Sequence, residues 1–342
     1  MAIQVAVIGA AGYAGEELLR ILTRHRQADV AVITSRKYAG QAVSNVFPRF
    51  TGSDLKFSAP DVDKIAKTCD VVFLALPHGL ATEYAIPLLE AGLKVIDISA
   101  DFRLKSPEKY KEYYKEDHPA VELLSEAVYG LPERYREQIK GAKLIACPGC
   151  YPTSSILPTA PLLEAGLVSP DGIVVSSMSG VTGTGRKVDL PYIFSECNES
   201  LRAYGTVAHR HLPEIEQEMA FAAGLDREVA INFVPHLVPV NRGINSTILL
   251  NANEGCTLEK IGKAYEKAYG NEQFVRVLGA TKFSDTKYVT MTNCCEIGYN
   301  IDPHTNKVIL TSAIDNLTKG ASGQAVQCMN IIFNFEEAEG LI

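Results

Sequence analysis

Short apolar runs alternate with helical patterns through the first 150 residues of the chain. The runs have the length of β-strands and consist mainly of Val, Ile and Leu, and they are Gln4 to Ile8, Val30 to Thr34, Val71 to Ala75, Val95 to Ile98 and Leu144 to Cys147. Unbroken apolar strands separated by helices are typical of a parallel sheet covered on both faces. The pattern therefore predicts a doubly wound α/β domain. A polar insertion, residues 106–141, is expected to form surface helices and turns.

After Pro152 the strand-length runs are grouped, with fewer helices between them. We expect strands at Ile173 to Ser177, Val229 to Val234, Ser246 to Ala252 and Tyr288 to Tyr299, and helices near Pro213 to Ala223 and Leu258 to Ala268. This grouping predicts a second, α+β domain with a mixed sheet. The last pattern, Gly323 to Phe335, predicts an amphipathic helix that returns to cover the first domain.

Length and composition favour a globular protein of two domains. A chain of 342 residues is long for one hydrophobic core, so we expect residues 1–149 and 318–342 to form one domain and residues 150–317 the other. The chain is 46% hydrophobic and 21% charged, as globular proteins are. Its net charge of −7, with no basic run, argues against nucleic acid or an anionic membrane and favours a small-molecule substrate.

The sequence also predicts a cytoplasmic location. The first strand begins at Ile3 without a charged leader, so no targeting peptide is expected. No apolar run approaches the roughly 20 residues of a membrane span. The eight cysteines are too few and too scattered for a disulfide scaffold and fit the reduced thiols of a cytosolic protein.

The segment between the first strand and the first helix is rich in glycine. Glycines at such a junction let the backbone approach a pyrophosphate and direct the helix N-terminus towards it. The G-x-x-G-x-x-G spacing is weak evidence alone, but its place between strand and helix favours a Rossmann-type dinucleotide-binding domain over a purely structural turn. The expected cofactor contacts are Gly9, Ala11, Gly12, Tyr13, Ala14 and Gly15.

The end of the second strand bears on the choice of cofactor. A site selective for NAD usually carries an acidic residue there, whereas this chain reads Thr34-Ser35-Arg36-Lys37. A hydroxyl followed by two cations suits a 2′-phosphate, so NADPH is favoured over NADH, with Ser35 and Arg36 as contacts. The alternative is a solvated basic loop.

A candidate nucleophile lies at the junction between the fifth strand and a helix predicted to begin near Pro152. A thiol at Cys150 faces the amide groups and the positive end of the helix dipole, which favours its thiolate near neutral pH. A thiolate beside a nicotinamide indicates reduction of an activated acyl group through a thioester. Cys147 and Cys150 could instead form a redox dithiol. A zinc site is disfavoured because no second C-x-x-C follows, and Cys147 is expected to be a buried structural residue.

Two histidines, His209 and His211, precede the helix predicted at Pro213. A histidine can donate a proton to an aldehyde-forming oxygen or deprotonate a thiol at cellular pH. We favour this acid–base role over metal binding, although the H-x-H pair and Glu214 are possible ligands. One histidine could serve only in capping or packing, and the spacing does not decide which one acts.

Three arginines and a glycine-rich loop complete the candidate site. The loop at residues 179–186 is typical of a backbone that approaches a ligand closely. Arg103 follows the fourth strand, at the sheet edge where open α/β sheets bind ligands. Arg103, Arg186 and Arg242 are candidates for recognising a carboxylate or phosphate of the substrate, because the guanidinium fork matches paired oxygens. Any of them could instead form a surface ion pair.

Together these segments resemble the N-acetyl-γ-glutamyl-phosphate reductases of arginine biosynthesis, which are distantly related to aspartate-semialdehyde dehydrogenase. The resemblance runs nearly end to end and is carried by the glycine loop, Asp97 to Arg103, Pro148 to Thr153, residues 179–186, His209 to Glu214, Pro235-His236-Leu237-Val238-Pro239 and Gly320 to Gln327. One small departure is Thr-Gly-Thr at 182–184, where Ser-Gly-Ala is commoner.

The resemblance implies a function and further contacts. The implied reaction is the NADPH-dependent reduction of N-acetyl-γ-glutamyl phosphate to N-acetylglutamate 5-semialdehyde, with Cys150 as the nucleophile. It also implies a homotetramer or dimer and a dinucleotide domain completed by the C-terminal helix. Asn316 would lie near the nicotinamide, and the remaining expected cofactor contacts are Pro77, Ser179, Gly180 and Gly183.

Two alternatives stay open from the sequence. A carrier-protein-linked reductase of lysine biosynthesis would share every motif but act on an aminoadipyl or glutamyl phosphate tethered to a small acidic partner, which the acidic net charge mildly disfavours. A catalytically silent NADP-binding regulator would keep the glycine loop and lose the thiol. The presence of Cys150, His209 and His211 argues against the regulator.

Overall fold

The computed structural model describes residues 2–186 and 188–342, which form two compact units. The first unit comprises residues 2–111, 116–148 and 321–342, and the second comprises residues 112–115 and 149–320. The chain therefore passes into the second unit immediately before Cys150 and leaves it after Gly320. None of the helices in the described ranges is both long and apolar enough to cross a bilayer.

The first unit is built on a parallel sheet of seven strands. In chain order they are β1 (Ile3–Ile8), β2 (Ala28–Thr34), β3 (Phe57–Ser58), β4 (Val71–Leu74), β5 (Lys94–Asp97), β6 (Val128–Tyr129) and β7 (Leu144–Ala146). Their order across the sheet is β3-β2-β1-β4-β5-β7-β6, and every pairing is parallel. The five apolar runs predicted as strands are thus strands. The two-residue strands β3 and β6 were not predicted, because each depends on the neighbour that it pairs with rather than on an apolar run.

Helices cover both faces of this sheet, as the doubly wound prediction requires. They are α1 (Tyr13–Leu22), α2 (Val43–Val46), α3 (Val62–Thr68), α4 (Ala81–Glu90), α5 (Pro107–Tyr114), α6 (Val121–Glu126) and α7 (Pro132–Gly141), joined by a last helix, Gly323–Ile332. Because side chains alternate along a strand, Val5 and Val7 of β1 pack in one core with α1 and the last helix. Ala6 and Ile8 pack in the opposite core with α3 and α4.

The polar insertion is more than the surface structure that we expected. It forms α5, α6 and α7, but it also supplies β6, which extends the sheet by pairing Val128 with Ile145 of β7. Tyr110, Leu124 and Ile139 of its helices are each at most 1% exposed. The expectation failed because each short helix buries only one or two apolar side chains. Most residues of these helices are polar, so the sequence pattern indicated a surface location.

The last helix is buried on all sides rather than amphipathic. Every residue from Gly323 to Ile331 is buried, and the helix packs against α1 and α7 of the first unit. Two of its polar residues are paired inside the first unit: the Gln327 side chain donates to Glu133 and Glu337, and the Asn330 side chain donates to the carbonyls of Glu337 and Glu339. Hydrogen-bonded polar side chains can lie in a core without a large free-energy penalty. The sequence pattern therefore wrongly predicted a solvent-exposed polar face for this helix.

The second unit contains a mixed sheet of seven strands. In chain order they are β8 (Ile173–Ser179), β9 (Arg202–Ala203), β10 (Ile231–Leu237), β11 (Ile244–Asn251), β12 (Val275–Ala280), β13 (Cys295–Asp302) and β14 (Lys307–Ile314). The spatial order is β12-β13-β14-β11-β8-β10-β9. The β8–β10 and β12–β13 pairs are parallel and the others antiparallel, which confirms the predicted mixed sheet.

One predicted strand in this unit is wrong in its extent. The run from Tyr288 to Tyr299 has strand-forming composition, but the strand begins only at Cys295. Residues 286–288 form a 3₁₀ turn in which the Asp285 carboxylate accepts the N–H of Lys287, and Met291 has φ of 62°. The turn holds this part of the chain out of the sheet despite its β-branched residues.

Helices of the second unit are α8 (Cys150–Glu164), α9 (Phe194–Cys197), α10 (Leu212–Ala222) and α11 (Leu258–Tyr269), with the C-terminal helix of the chain numbered α12. The central helix α8 is buried along almost its whole length although Pro158 and Pro161 lie inside it. Pro161 has no N–H to donate to the Leu157 carbonyl one turn earlier. The Tyr269 hydroxyl of α11 donates to that carbonyl instead, at 2.7 Å, and so lets a proline-containing helix remain in the core.

Candidate active site

Cys150 is the first residue of α8, which begins two residues before the start predicted near Pro152. Gly149 is the N-cap, with extended backbone angles, and Cys150 is partly exposed whereas the rest of the helix through Leu163 is buried. Among the first-turn amides, Pro152 has no N–H and the N–H of Thr153 donates to the Gly149 carbonyl at 3.0 Å. Helix geometry leaves the amides of Cys150 and Tyr151 without an acceptor within α8, at the positive end of its dipole.

The peptide that precedes Cys150 is held from two sides by residues of the 209–214 segment. The N–H of Gly149 donates to Oε1 of Glu214 at 2.9 Å, and that carboxylate is only 1% exposed. On the other side lies the imidazole of His211, so close that a β-carbon added to Gly149 would be 2.4 Å from its Nε2. The structure thus brings one predicted histidine against the residue next to the predicted nucleophile.

The second predicted histidine, His209, has a different environment. Its ring packs edge-on against Tyr151 at 5.4 Å and Phe233 at 5.3 Å between ring centroids. Burial, together with the nearby charge of Arg210, lowers the pKa of His209 to about 4. Its Nδ1 accepts the N–H of His211 at 3.1 Å. At neutral pH His209 is therefore an uncharged imidazole that fixes the backbone of His211.

A pair of tyrosine hydroxyls lies beside this cluster and was not anticipated from the sequence. The hydroxyls of Tyr151 and Tyr204 are 2.9 Å apart. Burial raises the pKa of Tyr204 to about 12, and the negative charge of Cys150 contributes to that rise; the pKa of Tyr151 is raised as well, again chiefly by burial. Both phenols stay protonated at neutral pH and can act as hydrogen-bond donors.

The glycine loop of the first unit contains glycines with two different functions. Gly9 has φ of 86° and passes so close to β4 that a β-carbon would lie 2.3 Å from the carbonyl oxygen of Ala75; at Gly15 a β-carbon would lie 2.5 Å from Cα of Ala10. Packing within the protein therefore requires glycine at both positions. A β-carbon on Gly12 would meet only the Gly9 oxygen, at 3.7 Å. The bare backbone at Gly12, the N-cap of α1, leaves room for a ligand at the helix N-terminus.

A cavity of about 200 Å³ opens beside this loop. Its lining includes four of the predicted cofactor residues, and the full lining is Ile8, Gly9, Thr34, Ser35, Arg36, Pro60, Leu76, Pro77, Leu80 and Tyr84. Arg36 is 68% exposed at its rim, donates to the Tyr84 hydroxyl at 2.8 Å and forms an ion pair with Glu83. The predicted contacts Ala11, Tyr13 and Ala14 belong to the neighbouring loop and the first turn of α1.

A buried acidic network supports the loop that carries Pro77. Asp101 is fully buried and accepts the N–H of Gly79 at 2.7 Å and of Ala81 at 2.9 Å, so it fixes the connection between β4 and α4. Asp97 accepts both the N–H and the hydroxyl of Ser99. Burial, and then repulsion by Asp101, raises the pKa of Asp97 to about 7.

The three predicted substrate arginines lie in different settings. Arg103 is 6% exposed, and its guanidinium donates to the carbonyls of Cys147 at 2.7 Å and Ile98 at 2.8 Å. Arg242 forms an ion pair of 3.1 Å with the buried carboxylate of Asp315. Arg186 is exposed in the 179–186 loop. Part of the hydrogen-bonding capacity of Arg103 and Arg242 is therefore used within the protein, and a substrate role for the three stays a prediction.

The remaining predicted cofactor residues converge in the second unit. Asn316 is 2% exposed; its side chain accepts the N–H of Gly243 at 2.8 Å and donates to the Thr182 hydroxyl at 3.0 Å. Gly180 passes so close to Asn241 that a β-carbon would lie 2.8 Å from its carbonyl. Asn316 thus ties the predicted ligand loop, which includes Ser179 and Gly183, to the turn before β11. Across residues 2–186 and 188–342, no three His, Cys, Asp or Glu side chains are grouped as metal ligands.

The comparisons with known proteins define the class. A sequence-family model described as semialdehyde dehydrogenase, NAD binding domain, matches residues 4–142, and one described as semialdehyde dehydrogenase, dimerisation domain, matches residues 150–316. Aspartate semialdehyde dehydrogenase II from Vibrio cholerae superimposes with a TM-score of 0.74 over 98% of this chain and 99% of its own, at 17% identity. The Candida albicans enzyme, whose structure contains NADP, gives 0.70 over 100% of both chains at 16% identity. The fold is that of the semialdehyde dehydrogenases.

Closer relatives identify the family. The N-acetyl-γ-glutamyl-phosphate reductase of Akkermansia muciniphila is 55% identical over 99% of this chain and 98% of its own length. Those of Heliobacterium modesticaldum and Moorella thermoacetica are 47% and 45% identical over the same shares. The chain belongs to the N-acetyl-γ-glutamyl-phosphate reductase family, which confirms the resemblance inferred from the motifs. It is an oxidoreductase with a nicotinamide-nucleotide-binding domain.

Sequence reasoning missed several residues that shape the site. Glu214 was considered from the sequence only as a possible metal ligand, and its hydrogen bond with the N–H of Gly149 was not anticipated. Asp101 lies within a segment that carried the family resemblance, but only its two amide contacts reveal its function. Tyr204 had no signal, since it reaches Tyr151 only because the pairing of β9 with β10 brings the two segments together.

Proposed function

We propose that this enzyme reduces N-acetyl-γ-glutamyl phosphate to N-acetylglutamate 5-semialdehyde and phosphate, with NADPH as the reductant and Cys150 as the nucleophile. The observation that supports this most directly is the placement of Cys150 at the N-terminus of α8, with Glu214 and His211 holding the preceding residue. The full-length similarity to reductases named for this substrate supports the choice of substrate.

The residues of the first unit fit a dinucleotide. The bare backbone of Gly12 at the start of α1 suits a pyrophosphate, because the first amides of a helix bind anions. Ser35 and Arg36, which line the cavity, would hold a 2′-phosphate, for which a guanidinium is a strong partner. When bound, the reduced nicotinamide supplies the hydride. In this proposal the first unit binds NADP(H) and the second carries the catalytic and oligomerising functions.

Cys150 carries out the acyl transfer. Its thiolate attacks the γ-carbonyl carbon, a C–S bond forms, and the C–O bond to phosphate breaks with the electron pair leaving on phosphate. Hydride addition to the thioester carbon gives a thiohemiacetal, whose C–S bond then breaks to release the aldehyde and restore the thiolate. The amides of Cys150 and Tyr151 are placed to stabilise the oxyanion that forms at each addition.

We assign the proton transfer to His211 and a positioning role to His209. The His211 ring lies against Gly149, one residue from the sulfur, so it can protonate the thiohemiacetal oxygen and take the proton back as the C–S bond breaks. His209, whose pKa is lowered to about 4, stays neutral and accepts the N–H of His211. Loss of His211 should therefore alter the pH profile of kcat, whereas loss of His209 should lower kcat without moving that profile.

The covalent step is tested with Cys150→Ser in the reverse assay, phosphate-dependent NADP⁺ reduction with N-acetylglutamate 5-semialdehyde. We expect the variant to lose nearly all turnover while its NADPH binding, followed by fluorescence, is unchanged. Cys256→Ser, a partly exposed cysteine of the second unit, is the control and should behave as wild type. Turnover by Cys150→Ser at the wild-type rate would refute the covalent route.

Substrate and cofactor choice are tested in the same assay. The wild type should prefer N-acetylglutamate 5-semialdehyde to the aminoadipate analogue, and NADP⁺ to NAD⁺. Arg36→Ala should weaken the cofactor preference by roughly ten- to a hundredfold, because a charge-assisted hydrogen bond contributes about 1.5–3 kcal/mol. Comparable kcat/KM values with both cofactors would show the 2′-phosphate assignment to be wrong.

We also propose that the enzyme is a cytoplasmic homo-oligomer, a dimer or tetramer, assembled through the second unit. The description of the family model that covers residues 150–316 as a dimerisation domain supports this assignment. Sedimentation equilibrium of the intact chain measures the assembly directly, and a monomer at micromolar concentration would contradict it.

A further inference from the structure

A second cavity lies next to the tyrosine pair, in the second unit. It has a volume of about 220 Å³ and is lined by Pro191, Tyr192, Arg202, Tyr204 and Leu237. Tyr204 contributes both to this cavity and to the hydrogen bond with Tyr151, which follows Cys150 in the chain. The cavity is therefore linked to the residue next to the proposed nucleophile through the hydrogen bond between Tyr204 and Tyr151.

The lining combines one cationic side chain with apolar and phenolic groups. Arg202 uses Nη2 to donate to the Pro191 carbonyl at 2.8 Å, which holds the guanidinium in place. Its Nε and Nη1 make no hydrogen bond or ion pair with any of the described residues. The other walls, Pro191 and Leu237, are apolar, and the two tyrosine rings add phenol groups. The guanidinium is held through Nη2, and its Nε and Nη1 groups can donate to a ligand. Together with the apolar walls, this arrangement suits a carboxylate attached to a short carbon chain.

The proposed substrate has that chemistry at the end that does not react. Its acyl phosphate must lie at Cys150, and its other end carries a carboxylate and an acetylated amine on one carbon. The negative charge of Cys150 contributes to the raised pKa of Tyr204. The cavity that Tyr204 lines is therefore within electrostatic range of the nucleophile. Arg103 and Arg242, which we considered from the sequence, use part of their hydrogen-bonding capacity on backbone carbonyls and on Asp315.

We infer that this cavity binds the α-carboxylate end of the acyl substrate, with Arg202 as the residue that determines specificity. The inference rests on the proposed function. Arg202 would pair with the carboxylate through Nε and Nη1 while Nη2 keeps its bond to Pro191. Pro191 and Leu237 would contact the methylene groups and the acetyl methyl. This subsite selects for a free α-carboxylate and leaves the chemistry at Cys150 unchanged.

The test uses two aldehydes that differ only in that carboxylate, N-acetylglutamate 5-semialdehyde and 4-acetamidobutanal, in the reverse assay. For the wild type we expect kcat/KM to be roughly ten- to a hundredfold higher with the carboxylated aldehyde, the range for hydrogen bonds to a charged group. Arg202→Gln should remove most of this preference, mainly through KM, and leave kcat/KM for 4-acetamidobutanal and the KM for phosphate unchanged. Arg202→Lys, which keeps the charge but not the fork, should fall between them.

Arg227→Gln is the matched control, because Arg227 is a surface arginine of the same unit, ion-paired with Asp171. It should retain the full preference. If Arg202→Gln keeps the wild-type preference, or lowers kcat/KM for both aldehydes equally, the subsite assignment is overturned while the proposed reaction stands. If the wild type turns over neither aldehyde, the proposed function fails and the subsite with it.

Discussion

The clearest quantitative consequence of the site geometry concerns Gly149, the N-cap of α8. Its φ of −68° and ψ of 162° are open to any residue, so Gly149→Ala introduces no backbone strain. The added methyl group would, however, lie 2.4 Å from Nε2 of His211, with its other nearest contacts also on that ring, at 2.7 and 2.9 Å. Ordinary van der Waals contact begins at 3.4 Å. The imidazole must therefore retreat by about 1 Å.

That displacement sets the size of the expected effect. A misplacement of about 1 Å in a catalytic group costs roughly 100-fold in rate, or about 2.7 kcal/mol in activation free energy. We expect kcat of Gly149→Ala to fall by that factor in phosphate-dependent NADP⁺ reduction. Binding of NADPH, which does not involve this residue in our proposal, should be unchanged.

Gly141→Ala is the control, since a β-carbon there meets nothing within 4 Å. Its kcat should equal that of the wild type. Thermal unfolding of both variants separates a local effect from a loss of folded protein, because alanine is a poorer N-cap than glycine and will lower the stability of α8 somewhat. A Gly149→Ala enzyme with kcat within twofold of wild type would refute the assignment of His211 as the proton-transfer group.

Three further predictions concern stability, pH and cofactor affinity. Tyr269→Phe should lower the free energy of unfolding by about 1–3 kcal/mol in urea denaturation, because the Leu157 carbonyl would lose its donor inside the core and Pro161 cannot replace it; no change would contradict the account of α8. His209 is neutral in the folded state down to pH about 4 but takes up a proton near pH 6.5 when unfolded, so stability should fall as pH drops below 6.5. Between pH 6.5 and 5 the wild type should lose about 1.6 kcal/mol more than His209→Gln, and parallel losses would show that His209 is not responsible. Asp101→Asn, which removes an acceptor for one of two buried amides, should raise the KM for NADPH severalfold more than that for the acyl substrate, and equal effects on both would argue against a role in positioning the cofactor loop.

The features that the sequence determined by itself are local. The strand β1, the glycine loop and the helix α1 follow one another within twenty residues, so apolar patterning and backbone preferences identify them without knowledge of the rest of the chain. The same holds for Cys150, since a helix start after a strand is visible in Pro148 to Pro152. His209 and His211 were recognised as a pair because only Arg210 lies between them, and Glu214 follows within five positions of His209.

Only the tertiary structure determined which partners and which degree of burial each of these groups has. The hydrogen bond from Gly149 to Glu214 and the contact of Tyr151 with Tyr204 join residues more than fifty positions apart, and no periodicity encodes such pairs. Helix starts and long apolar strands are encoded by near neighbours in the sequence, whereas a site arises where distant elements pack. The distinction between the two histidines has the same origin: burial among Tyr151 and Phe233 makes His209 neutral, and the position of α10 beside the start of α8 leaves His211 against Gly149.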